Sequence, residues 1–176
     1  MEVLEAIKTR RSVRSFKAEP ISDDDAAKIL EAARWAPSGG NRQAWTFVYI
    51  KDPRVLSMVK TCSTGFYGDA VAAIVVGVQG GGLELRYGGI GFLDVGFAAE
   101  NICLAAHALG IGSCPIASFN KEAIKMIVNA PEGWEPALVI SLGYPDRFPN
   151  PPRRKTLSEV VWLDAFGKKW SRLEVP

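Results

Sequence analysis

The chain has 176 residues, 48% of them hydrophobic and 23% charged, with 21 Lys and Arg against 19 Asp and Glu. That length suits one domain burying roughly 70% of its unfolded surface, and the composition excludes the disordered and collagenous classes. A formal net charge of +2 gives no overall pull towards nucleic acid, so any such case rests on local clusters.

Cys62, Cys103 and Cys114 are odd in number and never spaced Cys-x-x-Cys. This points away from a disulfide framework or a zinc site and towards reducing, cytoplasmic surroundings. No basic stretch followed by an apolar one opens the chain, as a secretory leader would. The most apolar run, Val95 to Leu109, is interrupted by Glu100 and Asn101 and is too short to span a bilayer, so a buried helix is expected and no membrane partner.

Val3, Leu4 and Ile7 share one face of a first helix ending near Thr9. It delivers Arg10-Arg11-Ser12-Val13-Arg14-Ser15-Phe16, three guanidinium groups and two hydroxyls suited to an anion. Ser22 and Asp25 form a capping box for a helix over about Asp23 to Arg34, with Ala27, Leu30 and Ala33 inward. Pro37 to Gln43 is a polar loop by composition, its glycines permitting positive φ. Trp45 to Ile50 reads as a strand, and Asp52-Pro53 as the start of a helix reaching about Lys60.

Ala70 to Val78 is continuously apolar at strand length, which implies a central strand buried on both faces. Gly80 to Gly91 reads as a flexible link or flap. A small-residue helix from about Gly91 to Leu109 is apolar nearly all round and ends at Gly110. In it Asp94 and Asn101 share one face, and Glu100 and His107 another; Asp94 and Glu100 are expected to cap or pair locally. Ile111 to Ala117 is short and extended, Asn120 caps a helix to about Val128, and Trp134 to Gly143 is a strand. A proline-rich arm then runs from Tyr144, followed by Arg153-Arg154-Lys155. The mixture of helices and strands fits an α+β sandwich, a single domain over 1–176 with a C-terminal arm from about 144.

Phosphate-loop, dinucleotide and nucleophile-elbow motifs are absent. His107 is the only histidine and reads as structural, so no triad or metal site is supported. If the chain is an enzyme, a cofactor carries the chemistry and no side chain is assigned a catalytic role. Arg10 to Arg14 and Arg153 to Lys155 either meet at one phosphate, with Ser38, Asn41 and Gln43 on a heterocycle's edge and Pro115-Ile116 on its face, or remain separate solvated surface; spacing leaves both open.

Four segments in order resemble the nitroreductase family of FMN-dependent oxidoreductases. They are Arg-Arg-Ser-Val-Arg-Ser-Phe at 10–16, Ala-Pro-Ser-Gly-Gly-Asn-Arg-Gln-Ala-Trp at 36–45, the helix from Asp94 to Gly112 ending Ala-Leu-Gly-Ile-Gly, and Arg-Arg-Lys-Thr-Leu-Ser-Glu-Val-Val at 153–161. The resemblance implies a three-layer α/β/α sandwich in an intertwined homodimer with FMN at the interface. It implies that Arg10, Arg11, Ser12 and Arg14 belong to the FMN-binding motif, Arg154 to the same phosphate, and Pro37, Ser38, Gly39 and Asn41 to a loop reaching the flavin from the other subunit. Pro115, Ile116, Ala117 and Ser118 match the segment along the isoalloxazine ring.

The implied activity is ping-pong hydride transfer from NADH or NADPH through flavin N5 to a small organic oxidant such as a nitroaromatic or quinone. An arginine such as Arg14 or Arg10 near N1 would favour the reduced flavin. Three departures touch the substrate side. Ala117 stands where larger members carry glutamate, their helical excursion shrinks here to Gly80–Gly91, and Ser63 to Phe66 holds no counterpart of their asparagine and lysine. The resemblance leaves out Trp162 to Pro176. The competing class is a non-catalytic anion- or nucleic-acid-binding module, against which near-neutral charge weighs.

Overall fold

Seven consecutive buried residues, Ala72 to Val78, make up nearly all of the strand on which both halves of the core rest. The computed structural model describes residues 1–79 and 90–173. In chain order the strands are β1 (Trp45–Ile50), β2 (Ala72–Gln79), β3 (Gly112–Ile116) and β4 (Trp134–Gly143). They form one antiparallel sheet in the order β1-β2-β4-β3, so β2 is central, as its unbroken hydrophobicity requires.

Alternate side chains of β2 feed two cores. Ile74, Val76 and Val78 pack with Ile29 and Ala33 of α2 (Asp23–Arg34) and with Val95, Ile102 and Ala106 of α4 (Ile90–Ala108). Ala73 and Val75 pack on the other face with Leu56 and Val59 of α3 (Pro53–Thr61) and Ile124 of α5 (Lys121–Ile127). Helices therefore cover both faces, giving the expected three-layer α/β/α sandwich. Each fully buried Val or Ile contributes about 1.5–3 kcal/mol. Trp134 closes the second core and presses on Gly77, where a Cβ would stand 2.1 Å from the indole; the β2–β4 register shifts between Val76 and Gly77 at this contact.

Local signals set most boundaries. The Asp52 carboxylate accepts from the amides of Arg54 and Val55, with Pro53 in the first turn, and Asn120 accepts from the Ala123 amide. After α4, the Ile111 amide donates to the Ala106 carbonyl and the Gly110 amide to that of His107. This is a Schellman ending with Gly110 at φ +77°, a conformation that favours glycine.

Other expectations need correction. In α2, Ala33 is buried and Leu30 packs half-buried on the core as expected, but Ala27 is exposed and Ala26 and Ile29 are the other buried positions. Only half of its capping box forms: the Ser22 hydroxyl accepts from the Asp25 amide, but the Asp25 carboxylate accepts from Lys28. In α1 (Val3–Thr9) the buried residue is Ala6, and Val3, Leu4 and Ile7 are exposed. The expected flap over Gly80–Gly91 lies outside the described residues up to 89, and Ile90 and Gly91 belong to α4. Beyond β4 the chain forms the four-residue α6 (Leu157–Val160), capped reciprocally by Thr156 and Glu159. Among the described residues no helix is long and apolar enough to cross a membrane.

Candidate functional site

Two side chains of the arginine segment anchor it to the sheet. Val13 is fully buried and Phe16 nearly so; the Val13 amide donates to the Ser113 carbonyl at 2.9 Å, making Ser12 and Ser113 a parallel bridge on the free edge of β3. The fit excludes any larger residue beneath: a Cβ on Gly112 would lie 2.8 Å from Val13, and one on Gly143 2.9 Å from the Phe16 ring. With Val13 and Phe16 held inward, the Ser12 and Arg14 side chains remain outside the core. Lys17 then donates to the Tyr144 carbonyl and Asp146 to that of Ser15, which leads the proline-rich arm back across the segment.

The arm completes a cleft of about 280 Å³ in which Arg10, Arg11, Ser12 and Arg14 meet Asn150 and Arg154. A second hollow shares Ser12, Arg14 and Asn150 and adds Arg147. The two basic clusters that the sequence left unconnected therefore converge. The arginines differ in their other commitments. Arg10 Nε donates to Glu100 Oε1 at 3.2 Å. Arg11 Nη1 folds back onto the Lys8 and Arg10 carbonyls, 2.8 Å from each, covering the open carbonyl end of α1, while its buried Nε has no partner among the described residues. Arg14 makes one long contact, Nη1 to the Ser12 carbonyl at 3.4 Å. Among the described residues, Glu100 is the one carboxylate paired with these guanidinium groups.

His107 supports this corner from α4. The Thr9 hydroxyl donates to the Glu5 carbonyl at 2.7 Å, so towards the ring it accepts, and His107 Nε2 carries the proton in their 2.8 Å contact. Burial first, then the charges of Arg10 and Arg11, hold the imidazole pKa below its ordinary value. Burial also pushes the Cys103 thiol up to about 11 and raises that of Cys114. Both are core thiols, as expected.

Pro115 to Ser118 continues along the same β3 edge. Pro115, Ala117 and Ser118 are exposed, but Ile116 is buried in the second core. Its side chain is therefore unavailable to cover a ring, contrary to the sequence expectation. The turn at Thr64 braces the end of the segment, its hydroxyl donating to the Ser118 carbonyl at 3.3 Å.

The loop holding Pro37, Ser38, Gly39 and Asn41 is elsewhere. It enters β1, the opposite edge of the sheet from β3, and the Gly39 amide donates to Asp94 near the start of α4 at 3.0 Å. Thr9 meets α4 at His107, 107 − 94 = 13 residues further on, about 20 Å along the axis. One chain therefore does not bring this loop to the arginine cleft. Asp94 and Glu100, expected to act locally, instead hold partners 55 and 90 residues away. Arg147 and Asn150 escaped the sequence reading; their one signal was their place in the arm between Tyr144 and the Arg153–Lys155 cluster.

The description of the nitroreductase family fits residues 7–76 and 88–144 of this sequence. The chain belongs to the nitroreductase family. The expected enzyme class, an FMN-dependent NAD(P)H oxidoreductase, is the class of that family. A relative from Archaeoglobus fulgidus, provisionally named an NADH dehydrogenase/NAD(P)H nitroreductase, is 38% identical over 168 aligned residues, covering 86% of this chain and 95% of the relative. The fold is similar to that of a nitroreductase family protein from Clostridium difficile 630, with TM-score 0.83 and 27% identity over 94% of this chain and 99% of that one. An FMN-dependent nitroreductase from Clostridium difficile R20291 gives TM-score 0.81 at 27% identity, over 93% and 100% of the two chains. The family match ends at 144, so the place of Arg154 rests on the geometry of the cleft.

Proposed function

We propose that this member of the family is a homodimer that binds FMN between its subunits and passes reducing equivalents from NADH or NADPH to a small organic oxidant. The observation that carries the reading is the convergence of Arg10, Arg14 and Arg154 with the Ser12 hydroxyl in one cleft. Guanidinium forks and a hydroxyl suit a dianionic phosphate, and the unpartnered Arg11 Nε adds a donor in want of an acceptor. The residues present therefore fit the phosphate end of FMN.

Arg10, Ser12, Arg14 and Arg154 would hold that phosphate, and the exposed edge from Pro115 to Ser118 would lie along the ring. Arg11 contributes chiefly by closing the end of α1, a narrower role than the sequence motif implies. Pro37, Ser38, Gly39 and Asn41 come from the second copy, since within one chain they sit at the far end of α4. Exposed apolar side chains support such a copy: Val3, Leu4 and Ile7 on α1, and Phe92, Leu93 and Phe97 on α4, a concentration that marks association surfaces.

When bound, FMN supplies hydride transfer at N5, accepting from the nicotinamide and donating to an oxidant such as a nitroaromatic or quinone in ping-pong order. The proton that must accompany each hydride would come from solvent, since His107 is engaged with Thr9 and the nearby carboxylate of Glu100 with Arg10. The test is the colour of the purified protein. A yellow dimer whose visible absorption is bleached by NADH or NADPH and restored by a quinone is expected. A colourless protein that ignores added FMN and binds DNA in a salt-sensitive way would refute the reading.

A further inference from the structure

We infer that Asp94 is a positioning residue that shapes the Pro37–Asn41 loop of each chain for use by the flavin site of the other copy; this rests on the dimeric FMN site proposed above. Asp94 is 4% exposed and lies in the N-terminal half of α4 among the apolar Phe92, Leu93 and Val95. A carboxylate taken out of water is unfavourable unless hydrogen-bonded. Among the described residues, the protein hydrogen bond it makes is with the Gly39 amide.

That bond acts on a loop that needs holding. Gly40, Asn41 and Gln43 have φ of 60°, 54° and 51°, a region costing non-glycine residues about 1–2 kcal/mol each. Internal hydrogen bonds maintain part of the shape: the Gln43 amide donates to the Ser38 hydroxyl, and the Asn41 amide to the Ser38 carbonyl. These tie the loop to itself; Asp94 ties it to the scaffold. Ala98, one turn further along α4, packs with Ala36 and Trp45 at the two ends of the loop, so one face of α4 fixes both its ends and its middle. Among the described residues, Ser38 and Asn41 bond within the loop and Gly39 to Asp94, while the arginine cleft lies at the other end of α4.

The test is complementation between subunits, read as FMN content and affinity. Asp94→Ala is expected to weaken FMN binding about tenfold or more, the effect of one charge-assisted hydrogen bond. Asp94→Asn, which keeps an acceptor in place, should retain near wild-type affinity. The Arg14→Ala chain is then paired with the Asp94→Ala chain in tagged mixed dimers. If Asp94 serves the partner's site, one of the two sites combines an intact arginine segment with an intact loop and binds FMN tightly, while the other carries both lesions. If Asp94 serves its own chain's site, each site carries one lesion and neither binds tightly.

Should Asp94→Ala fail to fold, Gly39→Pro removes the donating N–H at a first-turn position that accepts proline, and the same pairing is made with it. Half the wild-type flavin content in mixed dimers supports the assignment. Absence of a tight site in them, or full affinity in Asp94→Ala, overturns it while leaving the FMN reading intact. A wild-type protein that binds no FMN overturns both.

Discussion

Replacing Arg14 by alanine separates binding from folding at this site. The Arg14 side chain is exposed, and among the described residues its one hydrogen bond is the 3.4 Å contact with the Ser12 carbonyl, so its removal leaves none of them buried and newly unpaired. It also relieves a cleft in which Arg10, Arg11 and Arg154 crowd the same space. The flavin-free variant should therefore melt within about 2 °C of wild type, as expected for a surface change. Binding should behave differently. A hydrogen bond from a guanidinium to an ionised phosphate is worth about 1.5–3 kcal/mol, equivalent to a 10- to 150-fold loss of FMN affinity. Quenching of flavin fluorescence during titration with protein measures this directly. Repeating the titration with riboflavin, which lacks the phosphate, should show a much smaller difference between the two proteins. Salt should narrow the gap for FMN by screening the same charge. An Arg14→Ala protein purified with full flavin and wild-type affinity would refute the assignment of the cleft as a phosphate site.

The close contact beneath the segment predicts that Gly112→Ala, whose Cβ would press on buried Val13 at 2.8 Å, destabilises the fold by about 1–3 kcal/mol. Calorimetry should show a fall of about 2–12 °C, with flavin affinity falling as the arginines shift. His107 has a folded pKa below the ordinary 6.5, so the unfolded chain binds its proton first. Its contribution to stability is complete above 6.5 and is lost as pH falls through the lower folded value. A resonance from the single histidine titrating below 6.5, and a matching pH dependence of melting that His107→Gln removes, check this; titration above 6.5 in the native state contradicts it. For the thiols, half-buried Cys62 should alkylate in the native protein. Cys103, held at about 11, and buried Cys114 should react only on unfolding, as peptide mapping after brief iodoacetamide treatment would reveal.

Strands proved readable where burial is two-sided or where aromatic and β-branched residues cluster: β1 and β4 run from Trp45 to Ile50 and Trp134 to Gly143 as expected. Helix starts with a side-chain cap, at Asp52 and Asn120, were equally plain. In α2, the helical spacing puts Ala27 inward in place of Ala26 because the two are chemically identical neighbours about 100° apart on the helix. Its capping box failed because Lys28 competes for the Asp25 carboxylate, a choice the spacing of Ser22 and Asp25 does not reveal. In the site, residue types were legible and partnerships were not. Arginines and serines announced an anion, but Asp94 and Glu100 look like ordinary helix carboxylates until the fold brings Gly39 and Arg10 to them. The exposure of Val3, Leu4 and Ile7 is likewise invisible in their helical spacing, which signals an apolar face without saying what it faces.

The bridge between Ser12 and Ser113 has a further meaning in time. The two residues are 113 − 12 = 101 positions apart, and a ribosome adds about 5–20 residues per second. The arginine segment therefore emerges roughly 5–20 s before its seat on β3 has been made, and Arg154 follows later still. Throughout that interval Val13 and Phe16 have no core to enter, and the cleft does not exist. The anion site thus waits for β3 and for Arg154, although Arg10 to Arg14 are made well before either.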